Sequence, residues 1–540
     1  MTTTAMKDQD TPHPLPRGLP VELFKLILSY IEPNHEQALP IDKAIASRQF
    51  LSVESLEPPD PSHGSVRDSL STIGNFRLSC KVFKQIGAPF LFTRVATRFS
   101  KDGLKKLERL SHWQHLACHV KRFTYLVPYF VKGELSDFDR LQSELRQEGV
   151  QAVDSLALRD KIREQRTTIA QQEDARILKK AIASFTSLQL IQILRVANRE
   201  DAMLSDYLRR HEEVRRVINL DWTSACSHAA RTVGTALLDS SNMEWNRFSL
   251  PMISPTSAQF LKLSGPNSVQ MLAERLSCLT LHFDDSEDLE AKLQDLSDLF
   301  KAVFSKAKKM KAIHIGFPSH RPLALPLESI FHNVTWDDLV AFGVNGWELE
   351  DAEIVDFLKR HKDKLRGVRL RDVHLKDGSS WSEVLTFLRS ELRQLQWVSL
   401  RRIGYTAYYN SPEYLQMAGA EVLPIDSDTD SDDEDVPPTD PGPVDQETPS
   451  EDSQDDRDED DSEESDGESD DEHGPGANDM DFPNLNSPDT PSSAPRCNCG
   501  DGRQIDAASE LRDDDIRVDN LKRKYWEKWV LRRCFEHDCR

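Results

Sequence analysis

The feature that most constrains the fold is a short apolar pattern that recurs through the second half of the chain. The pattern is apolar-x-x-apolar-x-apolar, and the starts of its five clearest copies are separated by 34, 29, 26 and 30 residues. Alternate side chains of a strand share a face, so the last two apolar residues of each copy would point the same way. The copies are Leu276/Leu279/Leu281, Met310/Ile313/Ile315, Leu339/Phe342/Val344, Leu365/Val368/Leu370 and Leu395/Val398/Leu400.

Segments with the spacing of helices separate these copies, so predicted strands alternate with predicted helices. The helical segments are 287–304, 327–333, 351–361 and 381–390. Two earlier candidate copies are Leu188/Ile191/Ile193 and Trp245/Phe248/Leu250. A near-constant period of this length indicates stacked repeats, each a strand covered by a helix. The alternative is a conventional α/β domain with a mostly parallel sheet.

The repeats resemble a degenerate leucine-rich-repeat array. That family carries Asn or Cys eight residues after the start of the pattern, and this chain does not. Asp284, Pro318, Trp347, Val373 and Ile403 stand at those positions. The sequence therefore predicts an irregular, repeat-like α/β domain over residues 185–422.

The N-terminal segment 19–31 is predicted to be an amphipathic helix. Pro20 suits the first helical position, Glu22 suits the positive end of the helix dipole, and Pro33 would end the helix. Leu23, Leu26, Ile27, Tyr30 and Ile31 recur at spacings of three and four, which places them on one face.

The segment 76–92 shows the same kind of pattern. Leu78, Val82, Phe83 and Ile86 would share a helical face. Gly87 would then end the helix, with Pro89 after it.

Taken in order, the residue types of these two segments resemble the F-box, a small helical module. The match consists of Leu-Pro-x-Glu-Leu, Ile-Leu-x-Tyr-Ile, Arg-Leu-Ser-Cys-Lys-x-Phe and Ala-Pro-x-Leu-Phe. Segments 92–95, 103–113 and 120–126 resemble the sequence that follows the F-box in large fungal members. The resemblance implies binding to the Skp-type adaptor of cullin–RING ubiquitin ligases. It also implies which residues contact the adaptor or support those contacts. These residues are Leu19, Pro20, Leu23, Ile27, Leu78, Lys81 and Phe83. An insert over roughly 34–69 departs from the family pattern, and most of it is predicted to be a loop.

The net charge of −23 comes from one segment. Residues 426–472 contain 25 Asp and Glu against one basic residue, Arg457, so the rest of the chain sums to +1. Such a segment cannot bury enough apolar surface to offset its chain entropy, and disorder is expected over 423–508. A near-neutral remainder does not favour binding to nucleic acid.

The fold class expected is therefore α+β or α/β, in several parts. Disorder is expected over 1–14, the F-box module and its extension over 15–130, and one or two charged surface helices over 131–184. The repeat-like domain and the acidic segment follow, and a short helix within 509–540 is predicted to dock on the body. No run of eighteen apolar residues and no secretory signal is present, so an intracellular protein, cytoplasmic or nuclear, without a membrane span is expected.

Candidate catalytic and metal residues are few. No nucleophile elbow, phosphate-binding Gly-rich loop or His-Glu-x-x-His pair is present, and neither an enzyme nor a cofactor is expected. Weak candidates for a zinc site are Cys497, Cys499, Cys534, His537 and Cys539. The expected function is a substrate receptor of a cullin–RING ubiquitin ligase. The alternatives are a protein-interaction scaffold without ubiquitin transfer and an acidic nuclear protein that binds basic partners.

Overall fold

The computed structural model describes most of the N-terminal 409 residues and a short C-terminal portion. The described residues are 20–31, 64–133, 155–196, 199–240, 245–258, 266–283, 288–318, 322–409, 511, 513 and 518–532. They form a mixed α/β structure with a large parallel sheet and many helices. The predicted disordered segments 1–14 and 423–508 lie outside the described residues, as do the five candidate zinc ligands.

The strands and helices alternate along much of the chain. The strands are β1 (Arg94–Arg98), β2 (Arg122–Pro128), β3 (Phe130–Lys132), β4 (Leu190–Val196), β5 (Asn219–Asp221), β6 (Arg247–Ile253), β7 (Cys278–Phe283), β8 (Ala312–Gly316), β9 (Ala341–Leu349), β10 (Gly367–Leu375), β11 (Trp397–Arg401) and β12 (Gly404–Tyr405). The helices before β6 are α1 (Val21–Ile31), α2 (Gly64–Ser79), α3 (Lys81–Phe92), α4 (Lys101–His112), α5 (Gln114–Ala117), α6 (Ser155–Ala170), α7 (Glu173–Ser184), α8 (Arg199–Arg210), α9 (Glu212–Val217) and α10 (Trp222–Asp239). Those after it are α11 (Pro266–Ala273), α12 (Leu289–Asp295), α13 (Ser297–Lys306), α14 (Glu328–Phe331), α15 (Asp351–Arg360), α16 (Trp381–Glu391), α17 (Thr406–Tyr409) and α18 (Asn520–Val530).

The large sheet is parallel, and its strand order follows the order of the chain. The order is β1-β2-β4-β6-β7-β8-β9-β10-β11, with β12 also paired to β10. Strands β3 and β5 form a separate antiparallel pair. Parallel neighbours need a crossover between them, and helices supply most of these crossovers.

The apolar pattern of the sequence forms two rows across the sheet, and most of their side chains are buried. The second residue of each copy pairs in register with the next, giving Phe123, Ile191, Phe248, Leu279, Ile313, Phe342, Val368 and Val398. The predicted strands and helices of the repeat-like region are confirmed. A further copy, Val120/Phe123/Tyr125, was missed, and the sheet begins at Arg94, before the predicted domain start at residue 185.

Helix α7 lies within the charged segment of the sequence. The charged segment 131–184 was predicted to form surface helices, but α7 is buried along one side, where Ile177, Leu178, Ala181 and Ile182 join the main core. It contacts α4 and α10. Most of its charged residues occupy the other side, but the carboxylate of Asp174 is buried and lies 2.6 Å from Nε2 of His228.

The predicted C-terminal helix is present as α18 and docks on the last strand. Trp526 and Trp529 of α18 are buried in the main core, and α18 contacts β11 and α16. The indole N–H of Trp526 donates to the carbonyl of Leu511 at 3.0 Å. The helix thereby covers the end of the sheet. No helix in the described part of the chain is long and apolar enough to cross a bilayer.

Candidate protein-docking site

The N-terminal helices α1, α2 and α3 form a small apolar cluster of their own. Leu28, Ile73 and Ile86, one from each helix, are its buried residues. Around them Phe76 stacks on Phe83 with ring centroids 4.3 Å apart, and Phe24 lies 5.0 Å from Phe83. The aromatic rings therefore hold the three helices together.

Helix α1 carries two apolar sides, and only one of them packs on the cluster. The packed side consists of Val21, Phe24, Leu28 and Ile31, at helical spacing. The other side is exposed, with fractional exposures of 42% for Leu23, 51% for Leu26, 50% for Ile27 and 80% for Tyr30. Ile31 was predicted to share a face with these four, but it belongs to the packed side. We call the four residues Leu23, Leu26, Ile27 and Tyr30 the α1 ridge.

The segment 76–92 is divided between two helices at Cys80, which corrects the prediction of one helical face. The Sγ atom of Cys80 accepts a hydrogen bond from the backbone N–H of Phe83 at 3.4 Å and caps α3. Leu78, at the end of α2, is 85% exposed. The apolar spacing continues through the break, so it could not reveal the cap.

Gly87 and Pro89 lie inside α3, so the predicted helix end at Gly87 is wrong. A Cβ atom at Gly87 would lie 2.4 Å from Cγ of Arg77, which shows that α2 passes close to α3 at this glycine. Arg77 also lies over the ring of Phe92 at 5.0 Å, and burial lowers the pKa of its guanidinium. Gly87 therefore serves helix packing rather than helix termination.

The predicted site residues have different environments. Leu19 lies outside the described residues, and Pro20 is exposed just before α1, where its carbonyl accepts from Leu23 N–H at 3.1 Å. Leu23, Ile27, Leu78 and Lys81 are exposed, and Phe83 is half-buried within the ring cluster. Phe83 is thus placed to support the helices. The sequence pattern had already grouped Leu26 and Tyr30 with Leu23 and Ile27, but had not named them as site residues.

The α1 ridge is an apolar surface. Four large side chains on one helix side are exposed together, which makes this surface a candidate site for association with a partner. Among the described residues, no group of three or more His, Cys, Asp or Glu could hold a metal ion.

The comparisons with known proteins give no family for the chain. No protein-family model matches it, and no curated protein matches it significantly.

Proposed function

We propose that the chain is an F-box-type substrate receptor of a cullin–RING ubiquitin ligase. In this proposal the N-terminal helices bind a Skp-type adaptor, the repeat-like sheet binds a protein substrate, and partner subunits perform the catalysis. The contribution of this chain would be to hold the substrate close to the ubiquitin-transfer machinery. The resemblance of segments 19–31 and 76–92 to the F-box motif supports this proposal, and the α1 ridge would be the contact surface.

The observation that carries the proposal is the exposure of the α1 ridge. Leu28 packs inside the three-helix cluster, whereas its neighbour Ile27 points away from it. Residues that only stabilise the module would be buried like Leu28. A second apolar side on an eleven-residue helix fits a partner that would shield it from water.

The strand order supports the assignment of the remaining region to a repeat array. In stacked repeats each unit contacts mainly its neighbours, so strands follow one another across the sheet in chain order. The order from β1 to β11 has this form, apart from the separate β3–β5 pair. Such arrays present extended faces to protein partners. The step from this architecture to substrate binding rests on analogy.

Co-purification of the full chain with a Skp-type adaptor tests the proposal. The test variant carries Leu23→Ala and Ile27→Ala, which remove two members of the α1 ridge. The matched control carries Met271→Ala and Leu521→Ala, which remove two exposed apolar side chains outside the three helices. We expect the adaptor to bind the wild type and the control, and to be lost from the ridge variant, because a few anchors dominate most interfaces.

The same samples show whether the loss is specific. Because the ridge residues are exposed, we expect the ridge variant and the control to unfold within about 0.5 kcal/mol of the wild type. Failure of the wild type to bind adaptor, or equal binding by the ridge variant, would contradict the proposal. Stabilisation of cellular substrates after deletion of residues 15–92 separates a receptor from a scaffold.

A further inference from the structure

Helix α4 presents a basic side to solvent. Its other side, which carries Leu104, Leu107 and Leu110, packs into the main core. The exposed side is basic in the C-terminal half of the helix and ends at the residue that follows it. We call this surface the α4 face, and its residues are Lys105, Lys106, Arg109, His112 and Trp113.

Trp113 differs from every other tryptophan of the chain. Eight of the nine tryptophans are buried, whereas Trp113 is 52% exposed. Its backbone connects α4 to α5, and its carbonyl accepts from the N–H groups of Leu116 and Ala117 at 2.8 and 2.9 Å. Any residue could supply that carbonyl, so the connection does not account for an exposed indole. Tryptophan is enriched among the residues that dominate protein interfaces, and its exposure here indicates a contact with a partner.

The cations of the α4 face are not neutralised by the rest of the described chain. Within the described residues, no carboxylate forms an ion pair with Lys105, Lys106 or Arg109. The exposed Asp102 lies one turn earlier, in the first turn of α4, where the helix dipole favours a carboxylate. Three positive side chains are therefore available beside the exposed indole.

The neighbouring helix α7 adds positive charge at the border of the α4 face. The carboxylate of Glu108 accepts a hydrogen bond from Nη1 of Arg176 at 2.8 Å. This bond lowers the pKa of Glu108, burial opposes the change, and the charges of Arg176, Lys180 and His112 support it. Nζ of Lys180 lies 2.6 Å from Nε2 of His112. Glu108 is thus already paired, and Lys180 extends the basic surface.

Three residues of the α4 face form a row along the helix. Lys105, Arg109 and Trp113 follow one another at intervals of four residues. Four residues rise about 6 Å along a helix, so the row is roughly 12 Å long. A second helix lying alongside repeats its side chains at the same interval. Two carboxylates and one apolar side chain of such a helix could therefore meet the whole row.

The composition of the face favours a protein over other anionic partners. Proteins that bind the phosphates of DNA typically make about six to ten contacts, and this face offers three cations. The apolar side of α4 is buried in the core, so the helix has no apolar side to place in a membrane surface. Arginine beside tryptophan is typical of protein interfaces. Helix α5, which follows Trp113, also contacts α3, so the α4 face adjoins the docking helices.

We propose that the α4 face binds an amphipathic helix of a partner protein that carries two carboxylates and one apolar residue at four-residue intervals. The carboxylates would pair with Lys105 and Arg109, and the apolar residue would cover the ring of Trp113. This inference goes beyond the proposed function, because the contact needs neither the α1 ridge nor the adaptor.

Fluorescence anisotropy with a defined peptide tests the proposal on the full chain. The probe is a labelled alanine–glutamine helix with two Glu and one Leu at successive four-residue intervals, and the control peptide replaces both Glu with Gln. The charge variant is Lys105→Gln plus Arg109→Gln. Its matched control is Lys308→Gln plus Lys309→Gln, which removes the same charge from exposed positions before β8.

We expect the Glu probe to bind the wild type and the matched control, and the Gln peptide to bind both more weakly. Affinity should fall at least about threefold in the charge variant, because two exposed ion pairs are lost. Raising the salt concentration should weaken binding to the wild type. The charge variant should unfold at the same temperature as the wild type, since both replaced side chains are exposed. Equal affinity of the wild type and the charge variant, or no binding by the wild type, would overturn the site.

A second pair of variants tests the apolar contact. Trp113→Ala should weaken probe binding at least about tenfold, because tryptophan anchors dominate interfaces. Met271→Ala, which removes another half-exposed apolar side chain, should leave the affinity unchanged. Thermal unfolding of both variants separates lost binding from lost folding. Unchanged affinity in a folded Trp113→Ala chain would contradict the proposed contact.

Further arms identify the conformation and class of the occupant. A probe with a central proline should bind weakly, and equal binding would overturn the helical partner. A duplex oligonucleotide that binds more tightly than the Glu probe and is lost in the charge variant would assign the face to nucleic acid instead. Binding of the probe only after deletion of residues 426–472 would make the chain's own acidic segment the occupant.

The ridge variant distinguishes this contact from adaptor docking. Leu23→Ala plus Ile27→Ala should bind the Glu probe as the wild type does, since the α1 ridge is not part of the α4 face. Loss of the probe in that variant would place the peptide on the ridge and overturn the α4 site. Loss of the adaptor with retention of the probe would support both proposals, and failure of either one is seen separately.

Discussion

The carboxylate of Glu527 in α18 accepts a hydrogen bond from the backbone N–H of Leu400 in β11, with Oε1 and N 2.6 Å apart. One turn earlier in α18, Arg523 donates from Nη1 to the carbonyl oxygen of the same Leu400 at 3.2 Å. Within the described part of the chain, β11 is the last strand of the large sheet, and no further strand pairs with its outer edge there. The side chains of α18 supply partners for backbone groups of this edge, as an edge strand requires.

We expect Glu527→Ala to lower the free energy of unfolding by about 2 kcal/mol, because a buried N–H loses a charged acceptor. Arg523 would also lose a carboxylate 3.4 Å away. Urea denaturation of the full chain measures the effect. The control is Glu274→Ala, at an exposed position after α11, for which we expect a change within about 0.5 kcal/mol. Equal changes in the two variants would show that α18 does not cap the sheet.

The rows of the sheet show how much of the fold was accessible from sequence. The apolar copies predicted the strands because burial against helices imposes one spacing on all of them. The copy at Val120 was missed because it stands about seventy residues before the next one, with β3, α6 and α7 between them. The alignment of Arg94, Arg122 and Arg247 in one row of the sheet was not predicted, since it arises only from strand register.

The docking helices show a different limit. Spacing identified the apolar residues of α1, but a helix with apolar residues on two sides does not show in sequence which side packs. Gly87 inside α3 lies at a close contact between α2 and α3, which is a tertiary effect that local spacing does not show. The sequence therefore predicted helices and candidate residues, and the structure assigned each residue to packing or to exposure.

Alanine substitutions at two glycines with positive φ should distinguish the cost of backbone strain from the cost of a steric clash. At Gly346, where φ is +69°, an added Cβ would lie 2.4 Å from the carbonyl oxygen of Phe317. At Gly378, where φ is +87°, nothing lies within 4 Å. We expect Gly378→Ala to cost about 1–2 kcal/mol from the backbone alone. Gly346→Ala should cost about 1–3 kcal/mol more, because the carbonyl must move. Equal losses in urea denaturation would contradict the contact at Phe317.

Alanine substitution at a third glycine should increase the stability of the chain. Gly234 lies inside α10, and an added Cβ would meet nothing within 4 Å. We expect Gly234→Ala to raise the free energy of unfolding by roughly 0.8 kcal/mol, because alanine loses less backbone freedom in a helix. A higher midpoint in the same denaturation series checks this expectation, and a lower midpoint would show that α10 has less room than the structure indicates.

Protonation of His361 should contribute to a loss of stability on mild acidification, as should that of His282 and His374. The Nε2 atom of His361 accepts a hydrogen bond from the backbone N–H of Trp336 at 3.2 Å, and its Nδ1 donates to the carbonyl of Phe357 at 2.9 Å. The ring is therefore neutral. Burial lowers its pKa from 6.5 to about 4. Between these two pH values the unfolded chain binds the proton and the folded chain does not. The contribution to stability is therefore complete above pH 6.5 and is lost as the pH falls towards 4.

The free energy of unfolding measured between pH 7 and pH 4.5 checks the role of His361. His361→Gln retains an acceptor for Trp336 and cannot be protonated in this range. We expect the slope of stability against pH in the variant to be shallower by up to about 1.4 kcal/mol per pH unit. The control is His115→Gln at an exposed position of α5, which should leave the slope unchanged. An unchanged slope in His361→Gln would show that this ring does not carry the effect.

Substitutions at two adjacent residues of α1 should distinguish an effect on folding from an effect on adaptor binding. Leu28 is buried among α1, α2 and α3, whereas Ile27 belongs to the exposed α1 ridge. We expect Leu28→Ala to cost about 2–4 kcal/mol in stability of the three-helix cluster, because it leaves a cavity between the helices. Ile27→Ala should change stability by less than about 0.5 kcal/mol, since the removed atoms are largely in water.

Hydrogen exchange at the backbone N–H groups of α3 reports the stability of the cluster, and adaptor co-purification reports docking. The proposed function requires Ile27→Ala to weaken co-purification while α3 stays protected. If Ile27→Ala instead exposed α3 to exchange as strongly as Leu28→Ala does, the ridge would be part of the core of the module and unavailable to a partner.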